Sequence, residues 1–156
     1  MYDFEDGNGP VPAKRHAYPS GSEGGWVADT AHVALTAYIG PEAVIFGKAQ
    51  VSDNAKVYGK ARVYDKAHVY GSSRVYDKAQ ICGQARVCGQ AQVFHNSIIS
   101  DNALISGHAW ICDSAVIGDN AWVSNNAEVD GNSIVGGNAH IHKDICNLVT
   151  FGENNE

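Results

Sequence analysis

Residues 49–72 read AQVSDNAKVYGKARVYDKAHVYGS, which is four copies of a six-residue pattern. In each copy a small residue, a variable residue and a β-branched residue precede a turn. The β-branched position recurs without insertion or deletion over 20 consecutive repeats, and a fixed period of this kind is typical of a solenoid. The 20 positions are Val27, Val33, Ile39, Ile45, Val51, Val57, Val63, Val69, Val75, Ile81, Val87, Val93, Ile99, Ile105, Ile111, Ile117, Val123, Val129, Val135 and Ile141.

The composition of one repeat predicts its local structure. The small residue, from Ala31 to Ala139, is Ala except at Ser73, Ser97 and Ser133. It lies two positions before the Val or Ile, so both side chains face the same side of a short strand. β-branched residues suit such a buried, pleated position. Gly, Asp or Asn follows two positions later in 16 of 20 repeats, and these residues accept the positive φ of a tight turn.

The pattern over residues 27–141 resembles the hexapeptide-repeat family. That resemblance implies an all-β fold, a left-handed parallel β-helix with three strands and 18 residues per coil, here just over six coils. The run AQVSDNAKVYGKARVYDKAHVYG, after the start GGWVADTA, also looks like repeat proteins of bacteria and their phages.

Three regions follow from where the period begins and ends. Residues 1–26 lack it and are predicted to form an irregular arm that caps the first coil, because a solenoid needs its open ends covered. Residues 27–144 form the β-helix. At residue 145 Ile replaces the expected Ala, and residues 145–156 are predicted to fold over the last coil as a cap or tail.

Composition excludes several classes of protein. Hydrophobic residues make up 44% and charged residues 18%, which excludes a disordered acidic tail. No apolar run reaches 18 residues, so neither a membrane partner nor a membrane span is expected. The net charge of −6 argues against binding of double-stranded nucleic acid. Four cysteines are too few for a disulfide scaffold, and reduced thiols in a cytoplasmic protein are expected.

The 18-residue register sorts the outward residues onto three faces. On the first two faces the C-terminal half is apolar, and the edge between these faces carries the small residues Ser100, Gly118 and Gly136. Exposed apolar patches usually mark interfaces. We therefore predict a homo-oligomer, with a trimer favoured by the habit of the hexapeptide-repeat family. The predicted interface consists of Ile98, Leu104, Val116, Trp122 and Ile134.

The N-terminal half has the opposite character. Residues 48–86 contain eight Lys or Arg against three Asp, whereas residues 95–156 contain eight acids against Lys143 alone. Aromatic rings interleaved with Arg can hold a nucleotide, a single strand or another anion by stacking and charge. The structural alternative is that the tyrosines of this region only stack on one another along the solenoid and that the lysines only solvate the turns. The predicted ligand-binding residues are Tyr58, Arg62, Tyr64, Tyr70, Arg74, Tyr76 and Arg86.

Catalytic and metal-binding patterns are weak. Acyltransferases of the hexapeptide-repeat family use a His base between subunits and usually an extra loop, but no loop interrupts these repeats. His95 and His108 fall in turns without an evident carboxylate partner. His140 is predicted at a strand centre and His142 at a corner, so their side chains point in different directions and do not form a metal site. We therefore predict no catalytic residues, no metal site and no cofactor.

The sequence thus favours a non-catalytic binding or structural module of a bacterium or phage, which self-associates and binds a protein or a small anionic ligand. The resemblance to phage proteins suggests an anti-defence role. The alternative is an acyltransferase with its active site between subunits.

Overall fold

The computed structural model describes residues 1–152 and the backbone of residues 154 and 155; the remaining part of the predicted tail, residues 153 and 156, lies outside the described residues. The described chain consists of short strands joined by turns. In chain order the strands are β1 (Ala13–Ala17), β2 (Glu23–Ala28), β3 (His32–Val33), β4 (Tyr38–Ile39), β5 (Val44–Ile45), β6 (Gln50–Val51), β7 (Lys56–Val57), β8 (Arg62–Val63), β9 (His68–Val69), β10 (Arg74–Val75), β11 (Gln80–Ile81), β12 (Arg86–Val87), β13 (Gln92–Val93), β14 (Ile98–Ile99), β15 (Leu104–Ile105), β16 (Trp110–Ile111), β17 (Val116–Ile117), β18 (Trp122–Val123), β19 (Glu128–Asp130), β20 (Ile134–Gly136), β21 (His140–Ile141), β22 (Ile145–Cys146), β23 (Val149–Phe151) and β24 (Asn154–Asn155).

From β5 onward, each strand pairs in parallel with the strand three places earlier in the chain. This pairing produces three sheets and hence three faces. The first face is the sheet β1-β2-β5-β8-β11-β14-β17-β20-β23, the second runs from β3 to β24, and the third runs from β4 to β22. The third sheet has seven strands, one per turn, so the chain is a parallel β-solenoid of about seven turns. Partner residues are 18 apart through most of the solenoid, for example Arg74 and Gln92. The predicted all-β solenoid with three faces is confirmed, while the left-handed winding stays a prediction of the resemblance.

The core is the column of Ala and Val or Ile side chains that the repeat predicts. Ala85 and Val87, near the middle, are fully buried, whereas Arg86 between them is exposed. The three Ser replacements are buried too, and each hydroxyl donates to a carbonyl of its own turn, as from Ser73 to Tyr70 at 2.8 Å. Each core position therefore stays small or β-branched with its polar groups paired.

The turns use the backbone conformation that the sequence predicts. Asp65 has φ of 58°, and its carboxylate Oδ2 accepts a hydrogen bond from the Gly83 backbone N–H of the next turn at 3.0 Å. Asp53 and Asp119 make the equivalent bond to the turn above them. Side chains in the turns thus add a second ladder to the one formed by the strands.

The N-terminal arm lies at one end of the first sheet and reaches along the first face. β1 pairs antiparallel with β2 and covers the first strand of that face. The Phe4 ring stacks on Phe46 at 4.8 Å between centroids, and the Tyr2 ring stacks on Trp26 at 4.6 Å. These contacts could not be predicted from the six-residue period, because residues 1–26 lack it.

The C-terminal segment adds one further, irregular turn to the solenoid. Ile145 pairs with Val129 and is buried, so it takes the place of a core Val, and the register shifts from 18 to 16 residues. Cys146 therefore aligns with Asp130 and not with Glu128, the residue 18 positions earlier. Strand β23 then extends the first sheet, with Val149 opposite Ile134. Among the described residues no helical segment has the length and hydropathy to cross a membrane.

Candidate functional site

The edge between the third and first faces carries a continuous row of aromatic rings. The Tyr58 and Tyr76 rings are parallel at 5.0 Å, and the Tyr76 and Phe94 rings are parallel at 4.9 Å. Tyr38 continues the row below Tyr58 at 6.4 Å and is stacked on Tyr18 of the arm at 5.8 Å. Tyr58, Tyr76 and Phe94 stack because the 18-residue repeat places one ring above the next.

Beside this row, the third face opens into a groove of about 340 Å³ lined by Tyr38, Lys56, Tyr58 and Arg74, which we call the tyrosine groove. Lys56 lies between Tyr38 and Arg74 in the sheet, paired with both. Both cationic side chains are exposed, and neither makes an ion pair within the described part of the chain. Two cations and two phenol rings therefore face one open groove.

The hydroxyl groups of the row differ in their partners. Tyr76 donates a hydrogen bond to the Gln92 side-chain oxygen at 3.2 Å. Burial raises the pKa of Tyr58 and Asp77 adds to the rise, while Arg74 lowers it. The Tyr58 phenol is therefore protonated at neutral pH and can act as a hydrogen-bond donor to a ligand.

The structure separates the seven predicted ligand-binding residues into three places. Tyr58 and Arg74 line the tyrosine groove, and Tyr76 lies beside it, stacked on Tyr58. Arg62 lies on the first face under the arm, where its guanidinium donates to the Phe4 carbonyl at 2.6 Å and lies 5.1 Å from the centre of the Phe46 ring. Tyr64 stacks on that same Phe46 ring at 4.9 Å. Arg62 therefore holds the arm directly, and Tyr64 supports the Phe46 ring on which Phe4 stacks.

Arg86 lies on the second face, and Tyr70 lies on the edge that follows this face. The Tyr70 ring packs against His68 at 4.4 Å. A hydrogen bond with Cys88 and then burial raise the pKa of Tyr70, and Arg86 opposes the rise. Sequence reasoning missed Tyr38 and Lys56 as groove residues, although the 18-residue register already puts them in one column with Arg74.

A second cavity, of about 450 Å³, lies between the arm and the first face. Its cations are already engaged: Arg15 donates to the Gly24 and Pro41 carbonyls, Arg62 donates to that of Phe4, and Lys60 lies 3.9 Å from Glu42 Oε2. The cavity also contains acidic residues, Asp3 and Glu5 among them. It is consequently a poorer anion site than the tyrosine groove.

The predicted interface residues form one patch around the edge between the first and second faces. Ile98, Val116 and Ile134 are stacked on the first face, and Leu104 pairs with Trp122 on the second. The C-terminal segment lengthens this patch, since Val149 is 59% and Phe151 64% exposed. The Trp122 indole N–H donates to Ser106 at 2.8 Å and its ring stacks on His140 at 4.2 Å, so it presents a flat apolar surface.

Ligand types that suit a transition metal meet at one point. Ligand atoms of His95, Cys112 and Asp113 all lie within 4.8 Å of one another on the edge between the third and first faces. Burial, followed by the neighbouring acids Asp113, Glu128 and Asp130, raises the pKa of the Cys112 thiol to about 11. The sequence prediction of no metal site considered His140 and His142, whose rings lie 5.4 Å apart, and overlooked this cluster.

In a comparison with protein families, residues 49–65 match the YdcK beta solenoid repeat. These residues span β6 to β8 and include Lys56 and Tyr58 of the tyrosine groove. The match supports a repeat β-helix protein. No curated protein and no solved structure matches the chain.

Proposed function

We propose that this β-solenoid repeat protein is a binding module whose tyrosine groove takes a small ligand that combines a planar ring with an anionic group, such as a nucleoside phosphate. The observation that carries the proposal is the pairing of Lys56 and Arg74, exposed and without an ion pair in the described structure, beside two phenol rings.

The two parts of such a ligand match the two parts of the groove. A phosphate between Lys56 and Arg74 would receive charge-assisted hydrogen bonds, which are roughly twice as strong as neutral ones. A ring could stack on Tyr38 or Tyr58, because Tyr38 is 43% exposed and its ring is tilted by 60° to that of Tyr58. Aromatic stacking contributes about 1–3 kcal/mol per base.

The surrounding charge favours the same class of ligand. The region 48–86 has a net charge of +5 (eight cations, three acids), so it attracts anions over the length of this half of the solenoid. The ladder of strands and turns holds the groove backbone rigid, and a rigid site loses little conformational entropy on binding.

Calorimetric titration with adenosine monophosphate tests this assignment. Substituting Arg74→Glu is expected to weaken binding by about 10- to 100-fold, since it removes a charge-assisted contact and adds a repulsive one. Arg86→Glu is the matched control, because it makes the same change on the second face and should leave binding within about twofold. Equal effects of both variants, or no binding by the unsubstituted protein, would overturn the proposal.

The ligand's ring can be tested separately. Ribose 5-phosphate and inorganic phosphate carry the anion without the planar ring, and both should bind at least about 10-fold more weakly than adenosine monophosphate. If all three bind equally, the groove recognises only charge.

We also propose that the chain self-associates through the apolar patch, with a second copy as the occupant. The patch flanks an edge of small residues, where Gly118 lacks a side chain and Ser100 folds its hydroxyl back onto Asp101 at 2.9 Å, and the Phe151 ring lies over Gly136 at the C-terminal end of this edge. Such an edge lets two solenoids approach closely, and the exposed apolar columns on either side would then be buried.

Light scattering measures the solution mass that decides this point. We expect a trimer that Trp122→Glu dissociates, because the substitution puts a charge into the buried contact. Lys56→Glu, on the third face, is the control and should leave the mass unchanged. A monomeric unsubstituted protein would contradict self-association and would also remove the basis for an acyltransferase site between subunits.

A further inference from the structure

The turn that carries His95 lies between two turns with aspartate at the equivalent position. Asp77, His95 and Asp113 are 18 residues apart, and all three have left-handed φ angles of 58°, 55° and 57°. His95 also makes the contacts that aspartate makes elsewhere: its backbone N–H donates to Asp77 Oδ2 at 3.2 Å, and its Nδ1 lies 3.3 Å from the Asp113 N–H. The backbone ladder thus fixes an imidazole between two carboxylates.

His95 Nδ1 lies within hydrogen-bond distance of both an acceptor and a donor of Asp113. His95 Nδ1 lies 3.1 Å from Asp113 Oδ1 as well as 3.3 Å from the Asp113 N–H. A ring nitrogen accepts a hydrogen bond from the amide only when it is unprotonated, and it donates to the carboxylate only when it is protonated. It cannot do both, whereas a cation between Nδ1 and Oδ1 would use the lone pairs of both atoms.

Cys112 supplies a third ligand of a different kind. In the three preceding turns its place on the edge is held by the aromatic residues Tyr58, Tyr76 and Phe94. Its side chain is 6% exposed and lies next to the imidazole and the carboxylate, all within 4.8 Å. Ligand atoms of a tetrahedral zinc site are about 3.3–3.7 Å apart, given metal–ligand bonds of about 2.0–2.3 Å. A shift of roughly 1 Å by these side chains would close the set around an ion.

The remaining imidazole nitrogen, Nε2, has a carboxylate nearby but beyond hydrogen-bond distance. His95 Nε2 lies 4.0 Å from Asp77 Oδ2. Metal-binding histidines almost always donate their other N–H to a carboxylate or carbonyl, which orients the ring. His95 and Asp113 are each about half exposed, so a fourth position on the ion would be open to water.

We propose that His95 Nδ1, Cys112 Sγ and Asp113 Oδ1 bind one divalent transition-metal ion of the zinc class, with Asp77 orienting the imidazole. A thiolate, an imidazole and a carboxylate together suit Zn²⁺ and its neighbours, whereas Ca²⁺ and Mg²⁺ prefer oxygen ligands alone. The ion joins two adjacent turns of the solenoid, and the site is independent of the tyrosine groove.

Titration of the full chain with Co²⁺ tests the site, because cobalt bound to a thiolate gives a charge-transfer absorption band. We expect one Co²⁺ per chain with that band, displaced by Zn²⁺. His95→Gly should weaken binding by at least about 10-fold, as should Cys112→Ser, which should also abolish the band. Gly occupies the equivalent turn position at Gly59 and Gly131 with φ of 62° and 63°, so the His95→Gly backbone is compatible with the fold.

The control variants are Cys88→Ser and Cys146→Ser. Cys88 lies on a different edge, and Cys146 is near Cys112 but outside the proposed ligand set. Both variants should bind Co²⁺ as the unsubstituted protein does. A band that survives Cys112→Ser, a loss of binding in Cys146→Ser, or the absence of stoichiometric binding would each overturn the proposal.

Discussion

Replacing Val87 by Asp tests the inward and outward register on which every face assignment depends. Val87 is fully buried between Val69 and Ile105 of the adjacent turns, whereas its neighbour Arg86 is exposed. Val87→Asp loses about 2 kcal/mol of apolar burial. The new carboxyl finds no hydrogen-bond partner in this core, which costs about 1–3 kcal/mol more.

Charge adds the largest contribution. Keeping the new carboxyl neutral at pH 7, against an ordinary pKa of about 3.9, costs about 4 kcal/mol. The expected loss at pH 7 is therefore about 7–9 kcal/mol, comparable with the whole stability of a typical domain. Because burial raises the pKa of this carboxyl in the folded state, the contribution of about 4 kcal/mol disappears as the pH falls to about 4.

The assay is denaturant unfolding followed by circular dichroism, at pH 7 and pH 4, with Arg86→Asp as the control. Arg86→Asp should change the free energy of unfolding by about 0.5 kcal/mol or less, since its side chain faces solvent. If Val87→Asp retained a native spectrum and midpoint at pH 7 while Arg86→Asp unfolded the chain, the register would be inverted and the face assignments refuted.

Three smaller effects are also expected. Burial lowers the pKa of His16, whose Nε2 has no hydrogen-bond partner in the described structure, so the unfolded chain takes up its proton first; the free energy of unfolding should fall as the pH drops below about 6.5, and less steeply in His16→Phe than in a control such as His108→Phe. Asp65→Ala should be less stable than Asp65→Gly by about 1 kcal/mol in urea unfolding, because φ at this turn is 58° and alanine is strained there; equal stability would contradict the turn geometry. Iodoacetamide at pH 8 should alkylate Cys112 more slowly than Cys88, as judged by peptide mass spectrometry, because burial raises the pKa of Cys112 to about 11; equal rates would contradict its burial.

Most of the solenoid could be predicted from the sequence because every repeat has the same pattern of residue types. An Ala, a Val or Ile and a turn residue at fixed spacing define which side chain is inside, as Ala85, Arg86 and Val87 show. The same period places Tyr58, Tyr76 and Phe94 in one stack. In a solenoid with a strict period, residues one full turn apart in the sequence are neighbours in space, so these contacts can be predicted from the sequence alone.

The parts without a period could not be predicted in the same way. Phe4 reaches Phe46 and Arg62 through contacts that no local pattern specifies, and these contacts remove Arg62 from the proposed ligand site. At the other end Ile145 shifts the register by two residues, because a β-branched side chain there fills the core position next to Val129. The first of these is a long-range packing choice, and the second depends on which of two neighbouring registers buries more apolar surface.

The cluster of His95, Cys112 and Asp113 is an intermediate case. The 18-residue period puts His95 and Asp113 at the same turn position and Cys112 one residue earlier, so their proximity was accessible from the register. The convergence of their ligand atoms within 4.8 Å depends on side-chain rotamers and on the His95 hydrogen bonds, which only the structure gives.

Mapping backbone amide shifts during titration with adenosine monophosphate tests directly whether the tyrosine groove is the ligand site of this solenoid. We expect saturable shifts concentrated at Tyr38, Lys56, Tyr58 and Arg74 of the groove, and none of comparable size at Arg62 or Arg86. Shifts centred on Arg62 and the arm, or on the second face around Arg86, would contradict this assignment, as would an unchanged spectrum at millimolar ligand.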